Sequence, residues 1–127
     1  MRNPAKIYLV DTGLAKRVKS EDSGRLLENA IFLRLRRESD KIFYFDENQE
    51  CDFVVFKNNR FYAYQVCYEL NEKNEERELG GLIMCCKQLK LKEGFILTND
   101  REEEFKQEGI RIKIIPAWKY LLSPNPY

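Results

Sequence analysis

Two acids and a polar pair at regular spacing are the residues of this chain that could do chemistry. Glu28 stands three, four and seven residues before Ile31, Phe32 and Leu35, a carboxylate at the edge of an apolar helical face. Asp52 alternates with Val54 and Phe56, which places an acid on an otherwise apolar strand row. A buried Asp there is unfavourable without a partner. Glu50 lies two residues earlier on the same face. Period-two alternation then puts Gln65 and Cys67 on one strand face with Phe61, Ala63 and Glu69, and Tyr62, Tyr64, Val66, Tyr68 and Leu70 on the other. Either Asp52 or Glu50 could serve as an acidic ligand. An ordinary structural reading stands beside each: a first-turn acid favoured by the helix dipole, a solvated strand start, a hydrogen-bonded amide, a small buried thiol.

The rest of the composition narrows the chemistry. The chain has no histidine, which removes imidazole acid–base catalysis, His-based zinc sites and Ser-His-Asp or Cys-His nucleophiles. Cys67 therefore lacks a base to activate it. The six glycines fit neither a dinucleotide-binding nor a phosphate-loop pattern. Cysteines 51, 67, 85 and 86 form no C-x-x-C pair and read as small buried residues of a reducing compartment, so a cytoplasmic location is expected. No apolar run approaches the roughly 20 residues of a membrane helix, and no signal peptide is expected. At 127 residues, 43% of them hydrophobic, the chain fits one domain with a buried core. A net charge of +1 excludes a protein that coats polyanions through bulk charge. The charge is uneven, however: residues 1–41 carry ten basic and six acidic side chains. Arg34, Arg36 and Arg37 centre the positive part and, with Lys73 and Arg77, are the expected nucleic-acid contacts, a solvated helix end being the alternative for the three arginines. Tyr62, Tyr64 and Tyr68 could stack on bases, or pack beneath a helix.

The elements that must position these residues follow from pattern. Residues 1–23 form an N-terminal strand, Ile7-Tyr8-Leu9-Val10, and a connection; 24–122 form the main domain; 123–127 are a tail. A helix is expected over Gly24 to Glu38, then strands Lys41–Asp46, Glu50–Lys57 and Arg60–Leu70, the last two joined by an Asn58-Asn59 hairpin. A second helix spans Glu75 to Leu91, with close packing at Gly80-Gly81. Gly94–Thr98 is a strand, Asp100-x-x-Glu103 opens a short helix ended by Gly109, Ile110–Ile115 is a strand, and Pro116 in a first turn starts a terminal helix through Leu122. The whole is an α/β domain with a central mixed sheet flanked by helices.

An acid on a helix, an acid on a strand and two residues at n and n+2 on the hairpin partner resemble the PD-(D/E)XK nuclease superfamily, with its restriction-endonuclease-like core. Glu28 matches the first-helix acid, Asp52 the motif Asp, and Gln65-Val66-Cys67 the (D/E)-x-K position. More narrowly, the chain is similar to the nuclease-like C-terminal domain of archaeal AAA+ ATPases, through Lys6–Leu14, Gly24–Asn29, Glu50–Phe53, Gln65–Tyr68 and Pro116–Lys119. The resemblance implies a DNA- or partner-binding accessory, packed against an ATPase domain of the same or a related chain. The departures imply degeneracy: Gln65 offers only a neutral carbonyl, and Cys67 supplies no cation. In active members of the superfamily the motif acids hold Mg²⁺, so the resemblance implies at most weak binding of a divalent ion by Glu28, Asp52 and Glu50 here; the favoured reading is a vestigial pocket stabilised by Gln65 hydrogen bonds. One rival is an active Mg²⁺-dependent endodeoxyribonuclease in which Lys73 or Arg77 replaces the missing Lys. The other is a structural or homodimerising module.

Overall fold

Strand alternation, tight turns and two amphipathic helices combine into a seven-stranded sheet covered on both faces. The structure, a computed structural model, describes residues 7–9, 22–46 and 49–123. Chain order gives β1 (Ile7–Leu9), α1 (Asp22–Arg36), β2 (Ile42–Asp46), β3 (Glu50–Lys57), β4 (Arg60–Val66), α2 (Glu75–Gln88), β5 (Glu93–Thr98), β6 (Glu103–Gln107), β7 (Ile110–Pro116) and α3 (Ala117–Leu122). In the sheet the order is β1-β2-β3-β4-β5-β7-β6. The β4–β5 and β5–β7 pairs are parallel and the others antiparallel. β1 joins this same sheet, Ile7 opposite Phe45. Val10, the rest of the leader and the tail beyond Ser123 lie outside the described residues.

One face packs under α2, whose Leu79, Leu82, Ile83, Cys85 and Cys86 meet Val54, Ala63, Ile96 and Ile112. On the other, Ile31 and Leu35 of α1 and Tyr120 of α3 cover Phe53, Val55, Tyr64 and Phe95. All four cysteines are free and buried. Among the described residues, no helix is long and apolar enough to cross a membrane.

Asn58 and Asn59 both take positive φ, 52° and 67°, which the two-residue hairpin expected there requires. The expected helix after Asp100 is instead β6. Glu108 and Gly109, at φ 52° and 82°, form a second turn of the same kind, and Phe105 is the residue that packs inward. A capping-box spacing was outweighed by turn chemistry and by pairing with β7. β4 ends at Val66, not Leu70, because the chain bends at Tyr68, whose carbonyl accepts from Asn99 N and Thr98 Oγ1. α2 stops at Gln88 rather than Leu91. Lys90 turns to φ 59° while Leu91 N donates to Cys86 O at 2.8 Å, closing the helix in a Schellman turn. Pro116 is the N-cap of α3, not a first-turn residue.

Candidate functional site

The site is built where β3 and β4 part. Their pairing runs from Lys57↔Arg60 to Phe53↔Tyr64 and goes no further. Strand alternation also slips there: Cys51 and Val54, three residues apart, both face the α2 side, so Asp52 does not share a regular row with Val54 and Phe56. Side chains take over the ladder. Asp52 N donates to Gln65 Oε1 at 2.8 Å, and Val66 N donates to Asp52 Oδ2 at 2.9 Å. Gln65 Nε2 donates to Glu50 O and to Glu78 O, both at 3.0 Å. The Gln65 amide, 2% exposed, thus ties together β3, β4 and α2. Gly81 makes this possible: a Cβ there would stand 2.0 Å from Glu50 O, so only glycine lets α2 come this close. The close approach expected at Gly80-Gly81 is present.

Two adjoining clefts flank this junction. The larger, about 300 Å³, has Glu28, Asp52, Cys67, Arg77 and Glu78 in its lining. The smaller, about 220 Å³, takes Glu50 and Gln65 and shares Asp52, Arg77 and Glu78 with the first. Glu28 and Asp52, 5% and 4% exposed, therefore meet as expected, whereas Glu50 opens into the neighbouring cleft. Glu78 is the carboxylate that sequence reasoning missed. Its signal was its place one turn before Gly81, on the flank of the α2 face that presses on β3.

The fit to Mg²⁺ is poor. Gln65 Oε1 is committed to a backbone amide, and one Asp52 oxygen to another. Among the described residues, no group of three or more His, Cys, Asp or Glu side chains is arranged to hold a metal ion. Cys67 is 9% exposed, and burial, reinforced by the Glu78 and Asp52 carboxylates, pushes its thiol up to about 12. It stays a neutral thiol at physiological pH, a weak acceptor for Asn74 Nδ2 at 3.5 Å rather than a nucleophile or cation. Arg77 lines both clefts and pairs with Glu78 at 3.3 Å. Lys73 is exposed and lines neither.

Arg34 is not available to a ligand. It is 8% exposed, and its guanidinium donates to Tyr120 O at 3.1 Å, Leu121 O at 2.8 Å, Ser123 O at 2.5 Å and Glu38 at 2.9 Å, stacked over the Tyr120 ring. It caps the carbonyl end of α3. Arg36 and Arg37 remain exposed. Tyr64 is fully buried against Phe95 and Tyr120, Tyr62 is half-buried, and Tyr68 is 39% exposed.

With this arrangement in view, comparison with known proteins identifies the class. Residues 23–120 match the model of the family described as "Domain of unknown function (DUF4143)", and the chain belongs to that family. A relative is an uncharacterized protein of Methanocaldococcus jannaschii, 37% identical over 138 residues, covering 94% of this chain. The chain spans about 30% of that relative's length. No solved structure matches the chain.

Proposed function

We propose that this domain is a degenerate member of the PD-(D/E)XK nuclease superfamily that no longer cleaves DNA and serves as an accessory to an ATPase, binding DNA or its partner. The order α1-β2-β3-β4-α2-β5 agrees with that superfamily's helix–strand–strand–strand–helix–strand core. The observation that carries the loss of activity is the commitment of Gln65: both ends of its amide hold backbone groups. A carboxylate there would face two carbonyl oxygens, so the position works as a structural tie instead of a metal ligand. Cys67, where the motif has Lys, offers no positive charge. By analogy with removing one transition-state donor, that loss costs roughly 10²–10³ in rate. The 30% coverage of the archaeal relative supports a role as one part of a longer protein.

Arg77, shared by both clefts, favours a second reading in which it replaces the missing Lys and cleavage survives. The two readings separate on plasmid and short linear DNA incubated with Mg²⁺ or Mn²⁺, and with EDTA, beside Asp52→Asn. The Asn keeps an oxygen for Val66 N, which Ala would not. No cleavage in any condition is the expected result. Cleavage lost in both EDTA and the variant would overturn degeneracy.

A further inference from the structure

The two ends of the sheet carry opposite charge. Because β4, β5 and β7 are parallel, their starts lie together, at the end that also receives the C-terminus of α1 and the β3–β4 turn. The clefts lie at the other end, lined by Asp46, Glu28, Glu50, Asp52, Glu69 and Glu78.

At the strand-start end, Arg36, Arg37, Lys41 and Arg60 are exposed, and none forms an ion pair among the described residues. They form one surface because the α1–β2 turn is bonded to the end of β3. Ser39 Oγ donates to Phe56 O at 2.7 Å, Phe56 N to Lys41 O at 3.0 Å, and Lys57 lies opposite Arg60. Of the two acids in this turn, Glu38 is already held by Arg34 and Lys57, while Asp40 is exposed and its carbonyl accepts from Arg36 Nη1 at 3.4 Å. Aromatic rings fix the cations in place: Arg60 Cζ sits 4.8 Å from the Tyr62 centroid, Lys57 Nζ 5.0 Å from the same ring, and Lys41 Nζ 5.6 Å from Phe56. Lys90 and Lys92, at the turn into β5, extend the same end.

We infer that this end, and not the cleft, is a binding surface for the phosphodiester backbone of nucleic acid. Cations without carboxylate partners release counterions when they meet phosphates, and the guanidinium fork matches phosphate oxygens. From Arg60 to Val66 the strand climbs roughly 20 Å, so a bound duplex runs well clear of the acidic clefts. This surface follows from charge and placement alone and does not rest on the nuclease reading.

The test is fluorescence anisotropy of the 127-residue chain with a labelled 20-base-pair DNA duplex across a salt series. The triple variant Arg36→Gln, Lys41→Gln, Arg60→Gln is expected to bind at least roughly tenfold more weakly, with the salt dependence shallower by about 0.9 per charge removed. Glu69→Gln, an exposed change at the rim of the cleft, is expected to bind as the parent does. The three substituted side chains are exposed, and an unchanged thermal melt confirms that the fold is intact. Arg60→Glu alone, expected to weaken binding further than Arg60→Gln, is the independent second variant. Three results would overturn the inference: no binding by the parent at low salt, parental affinity in the triple variant, or equal weakening by Glu69→Gln. Binding to anionic lipid vesicles in place of DNA would overturn it too.

Discussion

Gln65 and Arg34 each lie buried beneath a helix and each join segments distant in sequence, yet they do so with different chemistry. Gln65 is neutral, and its one acceptor and two donors match one amide and two carbonyls, so the junction under α2 balances without any charge. Arg34 brings a full charge under α3 and balances it with Glu38, the Tyr120 ring and the carbonyls at the helix end. Two residues that suggested chemistry in the sequence, the motif acid's replacement and one arginine of the basic cluster, thus serve the backbone. The difference lies in what removal leaves behind. Loss of Arg34 takes the donor from three carbonyls and leaves the Glu38 carboxylate with Lys57 alone, whereas the groups that Gln65 holds are all neutral.

That contrast orders the expected effects. Arg34→Ala should destabilise most, by about 3 kcal/mol, because it leaves Glu38 without one of its two partners and the end of α3 without its cap. Urea unfolding followed by the fluorescence of Trp118, the single tryptophan and a residue of α3, reads this directly. A midpoint equal to that of the parent would mean that the clamp contributes nothing. Gln65→Glu should cost about 2 kcal/mol at pH 7, since a carboxylate replaces both donors to Glu50 O and Glu78 O. Parental stability in that variant would show the amide donors to be dispensable and erase the comparison.

The smallest effect comes from Cys67 and depends on pH. Its folded thiol titrates near 12, above the ~8.5 of an exposed one, so the folded state holds the proton that the unfolded state releases. The stabilisation is complete below about pH 8.5 and is lost as pH rises toward 12. Between pH 8 and 9.5 the parent should lose about 1 kcal/mol more than Cys67→Ala, allowing for solvent that reaches the thiol through the cleft. Urea midpoints measured at both pH values for the two proteins give this difference. Equal losses would place the alkaline sensitivity elsewhere, as at Cys86, whose thiol is also pushed up to about 12 by burial.

What the sequence made legible was local. The bounds of β3, the start of α2 and the Asn58-Asn59 hairpin depend on neighbours a few residues away, and pattern alone located them. The meeting of Glu28 with Asp52 was legible too, through the resemblance that aligned them. The segment after Asp100 was not: a capping-box spacing and a five-residue strand with one inward side chain look alike until β7 pairs with it. The partners of Arg34 lie up to 89 residues away, so no helical or strand period could reveal its burial. For Gln65, an amide role was foreseen, but not which groups it holds. Those depend on the parting of β3 from β4 and on Gly81 resting against Glu50 O, both consequences of packing between segments far apart in the chain.

The open edge of the sheet has a consequence for how this protein behaves when concentrated. β6 is five residues long and presents Glu103, Glu104 and Lys106 to solvent, with Glu103 and Glu104 paired to Arg101 and Arg111. A strand from another molecule adding to that edge would have to align its own side chains beside this charged row. The brevity and charge of β6 therefore work against edge-to-edge aggregation of a chain whose interior strands carry apolar runs such as Phe53-Val54-Val55-Phe56 and Phe95-Ile96-Leu97.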